Sequence, residues 1–106
     1  MSNDLDMPRL TDSMICRLAD VFSLLGDPTR LKIVSECIKQ PISVTDISIN
    51  LDLSQPLVSH HLRLLKAARM VKAERRGKQI FYEAADQHVR CVIKDMVDHF
   101  NEEEGE

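Results

Sequence analysis

Apolar residues recur at the three- and four-residue spacing of an α-helix in five stretches of the chain, and each stretch follows a residue type that favours helix starts. Asp27 followed by Pro28 is the expected pair for such a start, since Asp caps a helix and Pro fits its first turn. Gly26, just before this pair, is predicted to end the first helix. The first three helices are predicted to run from Thr11 or Asp12 to Gly26, from Asp27 to Gln40-Pro41, and from Ser43 to Asn50. The fourth is predicted to begin at Ser54 and the last at Asp86.

The fourth helix divides its residues between two faces. Val58, Leu62 and Leu65 fall within one narrow stripe when successive residues are placed about 100° apart, so this side is predicted to pack inward. The roughly opposite side carries polar side chains that remain available to a partner. These side chains are Gln55, Ser59, Arg63 and Lys66.

Two short segments after the fourth helix have the composition of strands. Residues 70–73 and 79–82 flank a basic, glycine-containing segment, which predicts a β-hairpin with a basic tip. Three helices, a fourth helix after a short turn, and then such a hairpin form a winged helix-turn-helix. We therefore expect a mainly α fold with a small β-hairpin, made of five helices and a two-stranded wing. A single DNA-binding domain should occupy residues 1–106, with residues 1–10 flexible and residues 103–106 an acidic tail.

Composition is that of an ordinary soluble protein, with 43% hydrophobic and 29% charged residues. No apolar run approaches the roughly 18 residues needed to span a bilayer. The polar, acidic first residues lack the basic and apolar stretches of a secretory signal. We expect a cytoplasmic protein without a membrane partner.

Charge is segregated along the chain, although the net value is only −3. Residues 54–80 hold seven basic residues and one acid, a local +6 that leaves −9 for the rest. Such a basic segment is typical of a nucleic-acid contact surface, although a solvated basic patch has the same charge. Because Gln, Arg, Ser and Lys contact base edges and phosphates, double-stranded DNA is the predicted partner. The predicted contacts are Ser54, Gln55, Ser59, His60, Arg63 and Lys66 on the fourth helix, and Arg75, Arg76, Lys78 and Gln79 on the wing.

Four candidate metal ligands lie near the end of the chain: Asp86, His88, His99 and Glu102. On one helix His88 and His99 share nearly the same face but lie about 16 Å apart along the axis, too far to bind one ion. If two copies pack antiparallel across a twofold axis, the first pair of one chain meets the second pair of the other. The spacing therefore predicts a homodimer with two metal sites between its subunits. Two nitrogen and two oxygen donors suit Zn(II), with Co(II) or Ni(II) as alternatives.

Each donor also has an ordinary structural interpretation. Taken alone, Asp86 is a helix cap, the two histidines are polar interface residues, and Glu102 belongs to the acidic tail. Asp95 and Cys91 lie on roughly the same helical face as His88, so they are further candidates for the site.

The three cysteines, Cys16, Cys37 and Cys91, are an odd number without close pairing, so neither a disulfide framework nor a CxxC zinc site is predicted. Each is interpreted as a small apolar residue, with a reactive thiol as the alternative. The adjacent His60 and His61 point about 100° apart on a helix, so they are not predicted to share an ion.

Features of an enzyme are missing from the sequence. It contains no nucleophile motif, Gly-rich phosphate loop or His-Glu-x-x-His motif. Catalytic zinc normally keeps one position open, whereas the four predicted donors leave none. We therefore predict no catalytic residues, no small-molecule substrate and no enzyme activity.

From Leu18 to Glu102 the chain resembles the ArsR/SmtB-type metal-responsive repressors. The resemblance lies in the phrases LLGDPTRLKIV, SQPLVSHHLRLLKAARMV and RRGKQIFYEA and in the closing DQH and DHFNE segments, taken in this order and spacing. It implies a homodimeric winged helix-turn-helix protein that represses transcription when metal-free and leaves its operator when an ion binds.

Within that family the resemblance is to the zinc-sensing branch, whose last helix carries Asp-x-His, ten residues, His, two residues and a carboxylate or histidine. The matching positions are Asp86, His88, His99 and Glu102. Residues 42–46, where other members place cysteines, contain none. The resemblance further implies that His99 passes a hydrogen bond to a backbone carbonyl near Arg69. The alternatives are a thiol- or sulfide-responsive repressor of the same fold, switching through its cysteines, and a constitutive DNA-binding dimer with a vestigial site.

Overall fold

The computed structural model describes residues 8–104, which form five helices and three short strands. In chain order these are α1 (Asp12–Leu25), α2 (Pro28–Lys39), β1 (Ile42–Ser43), α3 (Val44–Leu51), α4 (Gln55–Ala67), β2 (Val71–Arg76), β3 (Gln79–Ala84) and α5 (Gln87–Glu104). The predicted fold class is confirmed. Residues 1–7 and 105–106, which include parts of the predicted flexible segment and acidic tail, lie outside the described residues. None of the helices within residues 8–104 has the length and apolar character needed to cross a membrane.

Side-chain caps fix where the first four helices begin. Asp27 accepts hydrogen bonds from the backbone N–H groups of Thr29 at 2.9 Å and Arg30 at 3.4 Å. Such a cap satisfies backbone donors that have no partner within the helix. The other caps are Thr11 to Met14 at 3.1 Å, Ser43 to Asp46 at 3.2 Å and Ser54 to Leu57 at 3.3 Å. The predicted starts of these helices are confirmed.

The core lies where α2, α3 and α4 pack together. Val58, Leu62 and Leu65 of α4 are fully buried there, as their shared stripe predicts. The other buried apolar residues of this cluster are Ile33, Val34 and Cys37 of α2, Ile42 of β1, Ile47 of α3 and Val71 of β2. Because one face of α4 is fixed in a close-packed core, its opposite face is held outward in a defined orientation.

The sheet is antiparallel, with the strand order β1-β3-β2. β2 and β3 form the predicted hairpin, but they are longer than the expected segments 70–73 and 79–82. Gly77, with φ 64°, and Lys78 make the two-residue turn, and glycine adopts this left-handed conformation without steric cost. β1 was not predicted, since two residues are too few to show the alternating pattern of a strand.

The terminal helices α1 and α5 leave their apolar faces uncovered, and none of their described side chains is buried. Phe22 of α1 is 64% exposed and Phe100 of α5 is 52% exposed. The other large apolar side chains exposed on these two helices are Met14, Ile15, Leu18, Val92, Met96 and Val97. We call these two surfaces the terminal apolar faces. Extended apolar surface of this kind marks an interaction site.

Candidate metal centre and nucleic-acid interface

We call α4 the reading helix. Its outward face carries four of the ten side chains predicted to contact DNA. They are Gln55, Arg63 and Lys66, which are exposed, and Ser59, which is half-buried. His60 is exposed beside them. The Ser54 hydroxyl accepts the backbone N–H of Leu57 and so caps the helix at the same place. The face presents the donors and acceptors that suit base edges and phosphates.

The reading helix ends in a turn at Arg69, whose φ of 63° is left-handed. The N–H of Met70 donates to the carbonyl of Leu65 at 2.9 Å, and the N–H of Arg69 donates to the carbonyl of Lys66 at 3.0 Å. These are the two bonds of a Schellman motif. Glycine usually occupies the left-handed position, so nothing in the sequence pattern indicates this turn. It directs the chain from the reading helix into β2 and the wing.

One arginine of the wing is held by its neighbours. Arg76 donates from Nε and Nη2 to Oε1 of Glu74, at 3.3 and 3.1 Å, and its guanidinium lies 5.1 Å from the centre of the Phe81 ring. The other predicted contacts on the wing are Arg75, Lys78 and Gln79, and all three are exposed. The wing therefore presents Arg75 and Lys78 without such partners, among the residues that the structure describes.

A cleft of about 340 Å³ lies between the wing, the start of α3 and the reading helix. Its polar lining includes Thr45, Ser59, Lys78 and Tyr82, and none of the described residues that line it is acidic. β1 helps to form the cleft because Ile42 pairs with Tyr82 of β3. A cleft with this lining suits a phosphate group. Thr45 of α3 and Tyr82 of β3 were not predicted to line a cleft together with the predicted DNA contacts Ser59 and Lys78.

All four predicted metal ligands are exposed on α5 or directly before it. They form an N-terminal donor pair, Asp86 and His88, and a C-terminal donor pair, His99 and Glu102. On a continuous helix of 18 residues, the spacing of the two histidines corresponds to about 16 Å along the axis. Within residues 8–104 no three His, Cys, Asp or Glu side chains lie together as a metal site requires. One chain therefore presents the two donor pairs separately.

The donor pairs have the chemistry that a metal ion needs. Oδ1 of Asp86 accepts the backbone N–H of Val89 at 3.1 Å, a cap for α5 that leaves the second carboxylate oxygen available. The His99 side chain is 60% exposed, and its Nε2 lies 3.9 Å from Oε2 of Glu103. Imidazole nitrogens and carboxylate oxygens are donors that Zn(II) takes in proteins. Each pair therefore fits one half of a four-donor site.

Two further candidate ligands, Cys91 and Asp95, are also exposed on α5. Nε2 of Gln87 donates to Sγ of Cys91 at 3.6 Å. The nearby Asp98 is instead paired with Lys94 at 2.6 Å, and this hydrogen bond raises the pKa of the Lys94 ammonium. Asp98 is therefore engaged with a cation, whereas a metal role for Cys91 or Asp95 stays a prediction.

Cys37 lies in the core, unlike the other two cysteines. Burial, and then the nearby Glu36 carboxylate, raise the pKa of its thiol to about 12. Such a thiol carries almost no thiolate at neutral pH, so Cys37 is a structural residue. Cys16 and Cys91 are exposed on the terminal helices.

Comparison with known proteins identifies the family. Residues 27–73 match the family described as bacterial regulatory protein, arsR family. The chain is 37% identical over 86 residues to the transcriptional repressor SmtB homolog of Synechocystis sp., covering 81% of this chain and 65% of that protein. It is 34% identical over 86 residues to the cadmium resistance transcriptional regulatory protein CadC homolog of Staphylococcus aureus, covering 80% of this chain and 71% of that protein. The chain belongs to the arsR family.

Solved structures share the fold of this arsR-family chain. The antimony-specific transcriptional repressor AntR has a TM-score of 0.79 at 24% identity, covering 95% of this chain and 92% of that one. A homodimeric winged helix-turn-helix DNA-binding domain, Mb0332 from Mycobacterium bovis, has a TM-score of 0.75 at 22% identity, covering 91% and 95%. At these identities the likeness shows the fold alone, and it confirms the predicted winged helix-turn-helix.

The family match also bears on whether this chain is a regulator or an enzyme. Because the arsR family consists of transcriptional regulators, the prediction that this chain is not an enzyme is confirmed. The matched residues 27–73 run from the cap of α2 to the start of β2 and do not reach α5. The family match therefore does not extend to the two donor pairs.

Proposed function

We propose that this arsR-family chain is a cytoplasmic, metal-responsive transcriptional repressor. It binds double-stranded operator DNA as a metal-free homodimer and leaves it when Zn(II) binds between the two α5 helices. One observation supports this proposal most: two donor pairs lie at opposite ends of an exposed helix that also carries a terminal apolar face. Antiparallel pairing of two such helices covers the apolar faces and brings unlike donor pairs together in a single arrangement.

Homodimerisation is supported by the terminal apolar faces. Phe22, Val92, Met96 and Phe100 are each at least half exposed in the single chain. Covering such side chains contributes about 25 cal/mol per Å² of apolar surface removed from water. The Mycobacterium bovis domain with the same fold is homodimeric. A second copy of this chain, seated on α1 and α5, is therefore the proposed partner.

Operator binding is supported by the reading helix and the wing. Arg63 and Lys66 extend from the exposed face of the reading helix, while Arg75 and Lys78 extend from the wing. In a symmetric dimer the two reading helices enter successive major grooves about 34 Å apart. The separation of the reading helices is therefore the quantity that a regulator must control.

The metal proposal assigns the four donors to two subunits. The N-terminal donor pair of one subunit and the C-terminal donor pair of the other hold the ion, which supplies coordinate bonds that link the two helices. Nitrogen and oxygen donors favour Zn(II), with Co(II) or Ni(II) as alternatives, whereas soft ions favour thiolates. Although one relative is named for cadmium resistance and one structural neighbour for antimony specificity, residues 42–46 of this chain contain no cysteine.

Communication with the DNA site is assigned to His99. We propose that His99 uses its second ring nitrogen to donate a hydrogen bond to the backbone carbonyl near Arg69, as bonds behind metal ligands commonly do. The left-handed turn at Arg69 joins the reading helix to the wing, so a bond there acts on both DNA-contacting elements. Coupling is reciprocal, so bound operator weakens metal binding by the same factor.

An operator titration with and without Zn(II), at fixed salt, tests the proposed function. Zinc should weaken operator binding by wild type about 5- to 150-fold, the usual range of allosteric coupling. His88→Ala should bind operator normally in chelator and show no zinc effect. Gln87→Ala, which changes an exposed neighbour on the same helix, should behave like wild type. An equal zinc effect on His88→Ala and wild type would contradict the proposal.

A thiol-responsive repressor is the rival function, and two observations define its test. Cys37 is buried with a thiol pKa of about 12, so an oxidant would have to act on Cys16 or Cys91, which are exposed. If the chain is a metal-responsive repressor, zinc should still weaken operator binding in a Cys16→Ser, Cys91→Ser double variant. If the double variant instead loses its response to an oxidant and zinc releases neither protein, the rival function is correct.

A further inference from the structure

Arg30, in the first turn of α2, joins three helices through its guanidinium. Its Nε donates a hydrogen bond to Nδ1 of His61 in the reading helix at 3.1 Å. Its Nη1 donates to the backbone carbonyl of Leu24, near the end of α1, at 3.0 Å. Its Nη2 lies 3.8 Å from Oδ2 of Asp27, the cap of α2. One side chain therefore contacts a helix of the proposed dimer interface, its own helix cap and the reading helix.

The bond between Arg30 and His61 requires a neutral imidazole. An arginine side chain has five N–H donors and no acceptor, so Nδ1 of His61 must supply the lone pair. The proton of the neutral ring is then on Nε2. His61 is only 6% exposed, on the inward side of the reading helix, so water cannot readily replace this bond. Protonation of His61 would place an N–H group against the guanidinium and break the hydrogen bond between Arg30 and His61.

We propose that Arg30 and His61 are positioning residues that hold the reading helix at a fixed orientation to α1, and that acid releases this orientation by protonating His61. The proposal rests on operator binding from the proposed function and is independent of the metal site. Operator binding then also responds to proton concentration. The residue that responds, His61, lies on the inward side of the reading helix, opposite the face predicted to contact DNA.

The charges around His61 act in both directions. Burial, followed by the Arg30 guanidinium, lowers the pKa of His61, and His60 on the same helix adds to this effect. The carboxylate of Asp27 opposes it by favouring the imidazolium. The rings of His60 and His61 lie 5.5 Å apart in an edge-to-face arrangement. α1 contributes the Leu24 carbonyl through Arg30. The neutral form is therefore the resting form at neutral pH.

The direction of the effect separates this proposal from ordinary electrostatics. Protonation of surface histidines and carboxylates makes a protein more positive, which strengthens its attraction to DNA phosphates. Release of the reading helix weakens operator binding instead. Loss of operator affinity as the pH falls is thus the opposite of what surface titration produces.

Operator binding between pH 5.0 and 8.0, with chelator present and ionic strength constant, provides the first test. Wild-type affinity should be at least about threefold weaker at pH 5.0 than at pH 7.5. In His61→Asn the side-chain oxygen lies where Nδ1 was and accepts from Arg30 without titrating, so affinity at pH 7.5 should stay within about twofold of wild type and show no acid loss. His60→Asn is the matched control on the exposed side. Because His60 is itself a predicted DNA contact, this variant is compared with its own affinity at pH 7.5, and it should show the same fold loss at pH 5.0 as wild type.

His61→Leu fills the buried position with an apolar side chain of similar size but removes the acceptor. This variant should bind operator more weakly than wild type at pH 7.5 and above, where wild-type His61 is neutral. The proposal is overturned if wild-type affinity is constant or rises toward pH 5.0, if His61→Asn loses affinity with acid as wild type does, or if His61→Leu binds like wild type at pH 7.5. Backbone amide shifts of the reading helix supply a readout without DNA. In a His60→Asn background they should move with pH, and in the His60→Asn, His61→Asn double variant they should not, even if no operator binding is found and the proposed function fails.

Discussion

The carboxylate of Asp86 accepts a hydrogen bond from the backbone N–H of Val89 at 3.1 Å. This contact makes Asp86 the cap of α5, and it uses only one of the two carboxylate oxygens. The structural interpretation and the ligand interpretation of Asp86 are therefore compatible, since one oxygen serves each role. They can be separated by a change that keeps the cap and removes the charge.

Asp86→Asn should separate the two roles, because Asn caps helices about as well as Asp. The free energy of unfolding without metal should change by less than about 0.5 kcal/mol, while Asp86→Ala should lose about 0.5–2 kcal/mol with its cap. Zinc affinity should fall at least about tenfold in both, since a neutral amide is a poor ligand for Zn(II). Chelator competition measures that affinity, and unchanged zinc binding by Asp86→Asn would make Asp86 a cap only.

Arg63→Ala should weaken operator binding by about 1–3 kcal/mol, because Arg63 extends from the exposed face of the reading helix. Fluorescence anisotropy at several salt concentrations measures both the affinity and its salt dependence. Lys32→Ala removes the same charge from an exposed site on α2 and serves as the control. Equal losses in the two variants would mean that only net charge matters.

Phe22→Asp should prevent formation of the proposed dimer. Phe22 is 64% exposed on α1, and a charge there cannot be covered by an apolar partner surface without a large desolvation cost. Ile49→Asp is the control, since Ile49 is 70% exposed on α3, which is not one of the terminal helices. Sedimentation equilibrium should show a monomer for Phe22→Asp and a dimer for Ile49→Asp. A dimer in both would place the interface elsewhere.

Glu36 makes stability depend on acid. Its carboxylate accepts hydrogen bonds from Lys39 and Asn50, each at 2.9 Å, and these bonds lower its pKa below the ordinary value of 4.5. Since the folded pKa is the lower one, Glu36 stabilises the fold fully above about pH 4.5 and loses this contribution as the pH falls below that value. Glu36→Gln should therefore lose less stability than wild type between about pH 5 and pH 3.

Denaturant unfolding at a series of pH values measures this effect, with Glu74→Gln as the control. Glu74 pairs with Arg76 on the exposed wing, and such surface pairs contribute little to stability. At pH 7, Glu36→Gln should also be about 1 kcal/mol less stable than wild type, because a charge-assisted hydrogen bond becomes a neutral one. Parallel acid curves for wild type and Glu36→Gln would rule out this role.

Local signals in the sequence were sufficient for most of the fold. Asp27, Ser43 and Ser54 act within three residues of themselves, so their caps were predictable from the letters alone. The Arg69 turn was not predictable, because an arginine takes the place where glycine is expected. β1 was missed for a related reason: it exists only through pairing with β3, far along the chain.

In the candidate site, as in the fold, local features were predictable from the sequence and long-range contacts were not. The donor pairs were predictable because helical spacing places Asp86, His88, His99 and Glu102, and the described α5 is continuous across them. The hydrogen bond between Arg30 and His61 was not predicted, since it joins residues 31 positions apart. Contacts that depend on packing of distant segments leave no periodic mark in a sequence.

Metal binding by a mixed dimer tests the central claim most directly. One variant carries Asp86→Asn with His88→Ala, the other carries His99→Ala with Glu102→Ala, and differently tagged copies allow the mixed dimer to be isolated. Each variant alone should lose tight zinc binding, because every site lacks two donors. The mixed dimer should bind one zinc ion tightly, since its intact donor pairs meet in one of the two sites. A mixed dimer that binds no zinc tightly would contradict a site shared between subunits.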